Sequence, residues 1–235
     1  MNWTNLKATL YLPPPRKNGV KKSNGYLIYL RFKAGIHSQG EYKDPPLVIK
    51  CVLEALRYRR PDFAVENIPN YFLSHDEFLL INNLAIAVRD MEGLPAAIDI
   101  WQKLKENYNR NYTLHPKENL AYLNLVMSLA IALKQSERYE ECLCITEEGC
   151  NVSLTHNDVK SFSRFLYQRA FCMMKLGQND EGRALYKRFL MFAYALDGYA
   201  NISFDMMKKE YEDEFGEVSP VWTVCNCANA AVTIE

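Results

Sequence analysis

Apolar residues recur along most of this chain at steps of three and four, the period that gathers side chains on one face of an α-helix. From Asn24 onward Tyr26, Leu27, Tyr29, Leu30, Phe32 and Lys33 follow that spacing and predict a helix ending near residues 35–40. Pro45 and Pro46 suit a first turn, so a second helix runs through Leu47, Val48, Cys51, Val52, Ala55 and Leu56. It stops at Arg60-Pro61, because a residue before proline avoids the helical region. Ser74-His75-Asp76-Glu77 spells a capping box ahead of a face made of Phe78, Leu80, Ile81, Leu84, Ala85 and Val88. A turn at 92–95 then leads to Ala97, Ile98, Trp101 and Leu104, which completes a helical hairpin. The same unit recurs at 120–149, with its turn at 136–138, and at 162–196, with its turn at Gly177-Gln178; a last helix over 199–215 closes on Gly216.

The three hairpins share a skeleton. A small residue on the first helix is followed twelve positions later by a small residue on the second, and four later by a larger one: Ala85, Ala97, Trp101; Ala130, Cys142, Thr146; Ala170, Gly182, Tyr186. Two antiparallel helices approach closely only where both carry small side chains, and the larger residue fills the space one turn on. This skeleton resembles the tetratricopeptide repeat, with Tyr139-Glu-Glu-Cys142 in the place of that family's Tyr-x-x-Ala. The second-helix small residues stand 45 and then 40 positions apart (97 to 142 to 182), longer than the ~34-residue standard unit, so longer helices or loops are expected. A weaker first copy spans 26–56, with Lys33 and Pro45 where small residues would stand.

Several segments carry a closer likeness over residues 40–216. Leu53-Glu-Ala-Leu-Arg57 with Arg60-Pro-Asp-Phe63, Leu73-Ser-His-Asp-Glu77 with Ile81-Asn-Asn-Leu-Ala85, and Ala170-Phe-Cys-Met-Met-Lys-Leu-Gly-Gln178 resemble the C-terminal sensor domain of bacterial helix-turn-helix transcription regulators of the XRE, Rgg/PlcR type. The resemblance implies a repeat domain that dimerises and binds a signalling peptide. No helix-turn-helix pattern is legible in residues 1–40, which Pro13-Pro14-Pro15 interrupts. A DNA-binding regulator with a degenerate N-terminal reader is therefore the alternative, and a repeat-containing phosphatase of response regulators a third. The third needs a helical bundle ahead of the repeats, for which residues 1–40 are short and proline-rich.

With only 10 Gly and 10 Pro in 235 residues, the composition lacks the frequent breakers of a many-stranded β fold. At 49% hydrophobic and 24% charged residues it is that of a folded chain. The 28 basic and 28 acidic side chains cancel, but unevenly. Lys7, Arg16, Lys17, Lys21, Lys22, Arg31 and Lys33 precede the first carboxylate, Glu41; the rest carries 21 basic against 28 acidic residues, or −7. A polyanion contact is thus confined to the basic arm, and nucleic acid is not the favoured partner. The longest strongly apolar stretch, 123–133, is well short of a spanning helix, and no secretory leader is legible, so a cytoplasmic protein without membrane contact is expected. Seven cysteines, mostly inside apolar helical patterns, suit reduced thiols.

First helices of such repeats line a concave groove, and the register assigns to it Asn82, Ile86 and Arg89, then Asn124, Met127, Ile131 and Lys134, then Arg164, Tyr167, Phe171 and Lys175. Amide and cationic groups set between apolar ones suit a peptide backbone and carboxylate, although the same residues can simply solvate or pack a face. Cys142-Leu-Cys144 and Cys225-Asn-Cys227 lack a matching second pair at zinc-site spacing, and His37, His75, His115 and His156 are scattered. The acidic runs Glu137, Glu140, Glu141, Glu147, Glu148 and Glu210, Glu212, Asp213, Glu214 fit solvated helix faces, the latter beside Lys208 and Lys209. No phosphate loop, nucleophile elbow or acid–base pair is present, so neither catalysis, a cofactor nor a metal is expected.

The sequence thus predicts an all-α, superhelical array of antiparallel helical hairpins, tetratricopeptide-like, over 23–216, between a basic proline-containing arm (1–22) and a tail (217–235). Its expected role is a regulatory module that binds a short peptide or protein and forms a homodimer.

Overall fold

The computed structural model describes residues 24–37, 40–111, 116–196 and 201–216. The basic arm, the tail, His115 and the Cys225/Cys227 pair lie outside the described residues. Every regular element among the described residues is a helix. Two compact units divide between Ser136 and Glu137, within the turn that joins the helices of the second predicted hairpin.

The first unit contains α1 (Asn24–Ile36), α2 (Pro45–Arg59), α3 (His75–Glu92), α4 (Leu94–Asn111) and α5 (Pro116–Gln135), with short 3₁₀ segments at Gly40–Tyr42 and Val65–Asn70. Each helix packs on the next, and α3 also meets α5, so first helices of successive hairpins stand side by side. The ends are chemically specified. Asp44 accepts the Leu47 N–H at 3.1 Å ahead of the two prolines of α2. Both arms of the α3 capping box form: Ser74 Oγ accepts from the Glu77 N–H, and Glu77 Oε2 accepts the Ser74 N–H at 2.8 Å. Gly93, at φ +92° and ψ 179°, takes an extended positive-φ conformation open essentially to glycine alone, and it is the single residue between α3 and α4.

The second unit contains α6 (Tyr139–Thr155), α7 (Val159–Lys175), α8 (Asn179–Ala195) and α9 (Asn201–Phe215). Asp158 caps α7 by accepting the Ser161 N–H at 3.0 Å, and α7 packs on both α6 and α8. The small-residue skeleton is physically realised in this unit. A methyl group added at Gly182 would lie 3.1 Å from the Ala170 carbonyl and 2.8 Å from Met174 Cγ, so α7 and α8 touch almost backbone to backbone. A second close approach, which spacing alone did not reveal, joins α6 to α7: a methyl at Gly149 would stand 2.5 Å from the Phe165 ring. In the first unit Ala85, Ala97 and Trp101 are all fully buried. No helix among the described residues is long and apolar enough to cross a membrane.

One segment carries no legible helical pattern and is organised by distant side chains. Between α2 and α3, Asn107 of α4 donates both Nδ2 protons, to the Ile68 carbonyl at 2.7 Å and to the Tyr71 carbonyl at 2.6 Å. The Tyr71 hydroxyl donates to the Asp62 carbonyl and accepts the Ala64 N–H, and the Arg60 guanidinium lies over the Tyr71 ring at 4.7 Å. These bonds satisfy backbone groups that a short, partly buried loop would otherwise leave unpaired.

Candidate functional site

On α3 the outward register differs by one residue from the sequence expectation. Asn82 is 7% exposed, and its Oδ1 accepts the Trp101 indole N–H at 2.9 Å. A buried indole needs an acceptor, and Asn82 supplies it from the facing helix. The residues turned outward are Leu79 and Ile86, both half-buried, and the exposed Asn83, at positions i, i+7 and i+4 of one stripe. Arg89 is committed locally, since its Nε and Nη2 both donate to Asp90 Oδ1, at 3.0 and 2.9 Å, while Lys43 holds Oδ2 at 2.9 Å. Burial opposes ionisation of Asp90, but the bonds from Lys43 and Arg89 outweigh it and hold this carboxyl below its ordinary range.

On α5 the predicted set divides. Asn124 is exposed and Ile131 half-buried, whereas Met127 and Lys134 are buried, on the inward stripe that also carries Leu123 and Ala130. Outward positions are Leu120, Asn124, Ser128 and Ile131.

On α7 three of the four predicted groove residues are covered from within the same unit. The Tyr167 hydroxyl donates to Glu210 Oε2 of α9 at 2.7 Å; burial first, and then the Glu210 carboxylate, push its pKa upward. Phe171 packs on Phe215, with ring centroids 5.3 Å apart, and Lys175 pairs with Glu214. Tyr211 stacks on Tyr186 of α8 at 3.7 Å and is itself buried. The acidic run on α9 therefore partly serves α7 rather than solvent. Arg164 is half-buried, and its Nε has no hydrogen-bond partner among the described residues.

A face that the groove register omitted lies on α1. Ile28 (66%), Tyr29 (51%), Phe32 (67%) and Ile36 (44%) are exposed, while Leu27, Leu30 and Ala34 point inward. Ile28, Arg31 and Phe32 border an open depression of about 370 Å³ whose opposite wall is Leu79, Leu80 and Asn83 of α3. Arg31 Nη1 pairs with Asp76 Oδ1 at 2.9 Å, and Arg59 Nη2 holds the other oxygen at 3.3 Å. The sequence did hold a sign of this face: Leu27, Ile28, Tyr29, Leu30 and Phe32 are more apolar residues than one buried helix stripe can use.

No group of three His, Cys, Asp or Glu side chains is placed to hold a metal among the described residues. His37 Nδ1 lies 2.8 Å from the Tyr42 carbonyl, and Glu141 is engaged by Arg138. Cys142 and Cys172 are fully buried; Cys51 and Cys150 are buried, and burial pushes the Cys150 thiol up to about 11. Cys144 is exposed. Because the thiolate is the nucleophile, alkylation of the native protein at neutral pH is expected to mark Cys144 first among the five described cysteines. Cys142, Cys150 and Cys172 should react only on unfolding, as peptide mapping by mass spectrometry can read. Rapid labelling of Cys142 would show that α6 does not pack as described.

No family model matches the chain, and no curated protein matches it. Among solved structures, the chain is similar to a Podosopora anserina protein described as a kinesin light chain with nearly identical TPR-like repeats, at 13% identity and a TM-score of 0.44, over 73% of this chain and 87% of that one. A variant structure of the same protein aligns at 13% identity and a TM-score of 0.43, over 71% and 84% of the two chains.

Proposed function

We propose that this chain is a regulatory protein-binding repeat module, of the sensor type its sequence resembles, and that the outward face of α1, α3 and α5 in the first unit receives a peptide segment of its partner. The observation that carries this reading is the depression between α1 and α3, where exposed Ile28 and Phe32 stand opposite Leu79 with the Asn83 amide and the Arg31 guanidinium at its rim. Apolar recesses with a few polar groups at the edge suit peptide side chains and backbone amides, respectively. Asn124 and Ile131 extend the same kind of surface on α5. On α7 Tyr167, Phe171 and Lys175 are already engaged by α9, so that face is left out of the site. Self-association as a homodimer follows from the same resemblance and forms part of the proposal.

The test uses peptides selected from a displayed random library against the full chain, with affinity read by fluorescence anisotropy. Leu79→Arg and Asn83→Arg are expected to weaken binding at least tenfold, about 1.4 kcal/mol or more. Arg164→Ala and Lys175→Ala should leave it within twofold. The reverse pattern would place the site on α7 and defeat the proposal.

A further inference from the structure

Resting on that binding role, we infer that the partner segment seated between α1 and α3 is an acidic amphipathic helix. The apolar part of the argument is the open face itself. On α1 Ile28, Tyr29, Phe32 and Ile36 are all exposed. Ile28, Phe32 and Ile36 fall at four-residue steps, so the stripe runs along the helix axis for about 12 Å. With α3 alongside, the depression is a groove between two neighbouring helices, a shape that accepts the ridge of a third. A recess suits side-chain knobs better than a flat lipid surface.

The acidic part follows from charge. Helix α1 carries Arg31 and Lys33 and no carboxylate. Arg31, which borders the depression, pairs with Asp76, and that carboxylate is shared with a second guanidinium, Arg59, so the cluster keeps an excess cation. The excess is local to this rim: over the described residues of the unit, 24–136, the chain has 13 basic and 12 acidic residues, +1. An apolar stripe edged by Arg31 and Lys33, with no carboxylate on its own helix, complements a helix with apolar residues at i, i+4 and i+7 and carboxylates beside them.

The test compares two synthetic helical peptides of about 15 residues with the same Leu/Phe stripe, one flanked by glutamates and the other by lysines. Vesicles of phosphatidylserine and phosphatidylcholine, one part to two, form a third arm. The glutamate peptide is expected to bind at least tenfold tighter than the lysine peptide at low salt, with the gap narrowing as salt rises. Ile28→Asp and Phe32→Asp should abolish binding while the far-ultraviolet dichroism stays that of the parent, since both side chains are exposed. Lys33→Glu should reduce the preference for glutamate. Equal binding of the two peptides, insensitive to salt, overturns the acidic partner and leaves the binding role standing. Phe32-dependent sedimentation with vesicles and no peptide binding overturns it in favour of a membrane surface. No binding in any arm overturns it as well, and the binding role falls with it only if the displayed library also yields nothing.

Discussion

Replacing Trp101 by alanine is expected to lower folding stability by about 3–5 kcal/mol, read as a shifted midpoint of urea unfolding followed by dichroism. The indole is fully buried one turn after Ala97, at the position where the close approach of α3 and α4 leaves space for a large side chain. Its contribution has two separable parts. Trp101→Phe keeps most of the ring and removes the donor, which leaves Asn82 Oδ1 buried without its 2.9 Å partner, at a cost of about 1–3 kcal/mol. Asn82→Ala strands the indole N–H instead, with a loss of the same order. Combining Trp101→Phe with Asn82→Ala removes both halves of the bond, so the double variant should lose less than the sum of the singles. An Asn82→Ala protein as stable as the parent but impaired in peptide binding would return Asn82 to the groove and show that α3 does not turn Asn83 outward in its place.

The choice between these two asparagines marks the boundary of what one sequence discloses. Helix ends were legible because their causes are local: the Ser74–Glu77 capping box and the Arg60-Pro61 stop each act within a few residues. The small-residue skeleton was legible because close helix approach restricts side-chain size at fixed steps, as Gly182 against Ala170 illustrates. Asn82 and Asn83 are the same residue type about 100° apart on the helix, and what turns Asn82 inward is an indole on another helix, 19 positions away. Periodicity has no access to that choice. The face of α7 was hidden for the same reason, since Glu210, Glu214 and Phe215 meet Tyr167, Lys175 and Phe171 from about 40 residues further on. The α1 face was legible in part: its surplus of apolar residues stood in the sequence, but only the structure separates Leu27 and Leu30, which are buried, from Ile28 and Phe32, which are not.

Asn107→Asp is expected to be as severe as the loss of Trp101, and to carry a pH signature that a packing defect lacks. Asn107 is fully buried, and both of its Nδ2 protons are spent on the carbonyls of Ile68 and Tyr71. A carboxylate of the same shape offers those carbonyls no donor and brings an uncompensated buried charge, at a cost of about 3–5 kcal/mol near neutral pH. The introduced carboxyl will resist ionisation in the folded state, so its pKa lies above the ~3.9 of the unfolded chain. A group whose folded pKa is raised favours the fold most below the unfolded value and loses that contribution as pH rises through the folded one. Relative to the parent, the variant should therefore be least impaired below about pH 4, where one carboxyl proton can serve one carbonyl, and progressively worse toward neutrality. Asn107→Leu removes the donors without adding charge, so its deficit, about 2–4 kcal/mol for two stranded carbonyls, should not change with pH. In both variants hydrogen exchange is expected to quicken first in residues 61–73, the segment these bonds tie down, and then at the Ser74 cap of α3. An Asn107→Asp deficit that is flat across pH, or one below about 0.5 kcal/mol, would mean that Asn107 does not hold this segment and that its order comes from the remaining bonds of Tyr71, Arg60, Arg110 and Asn111.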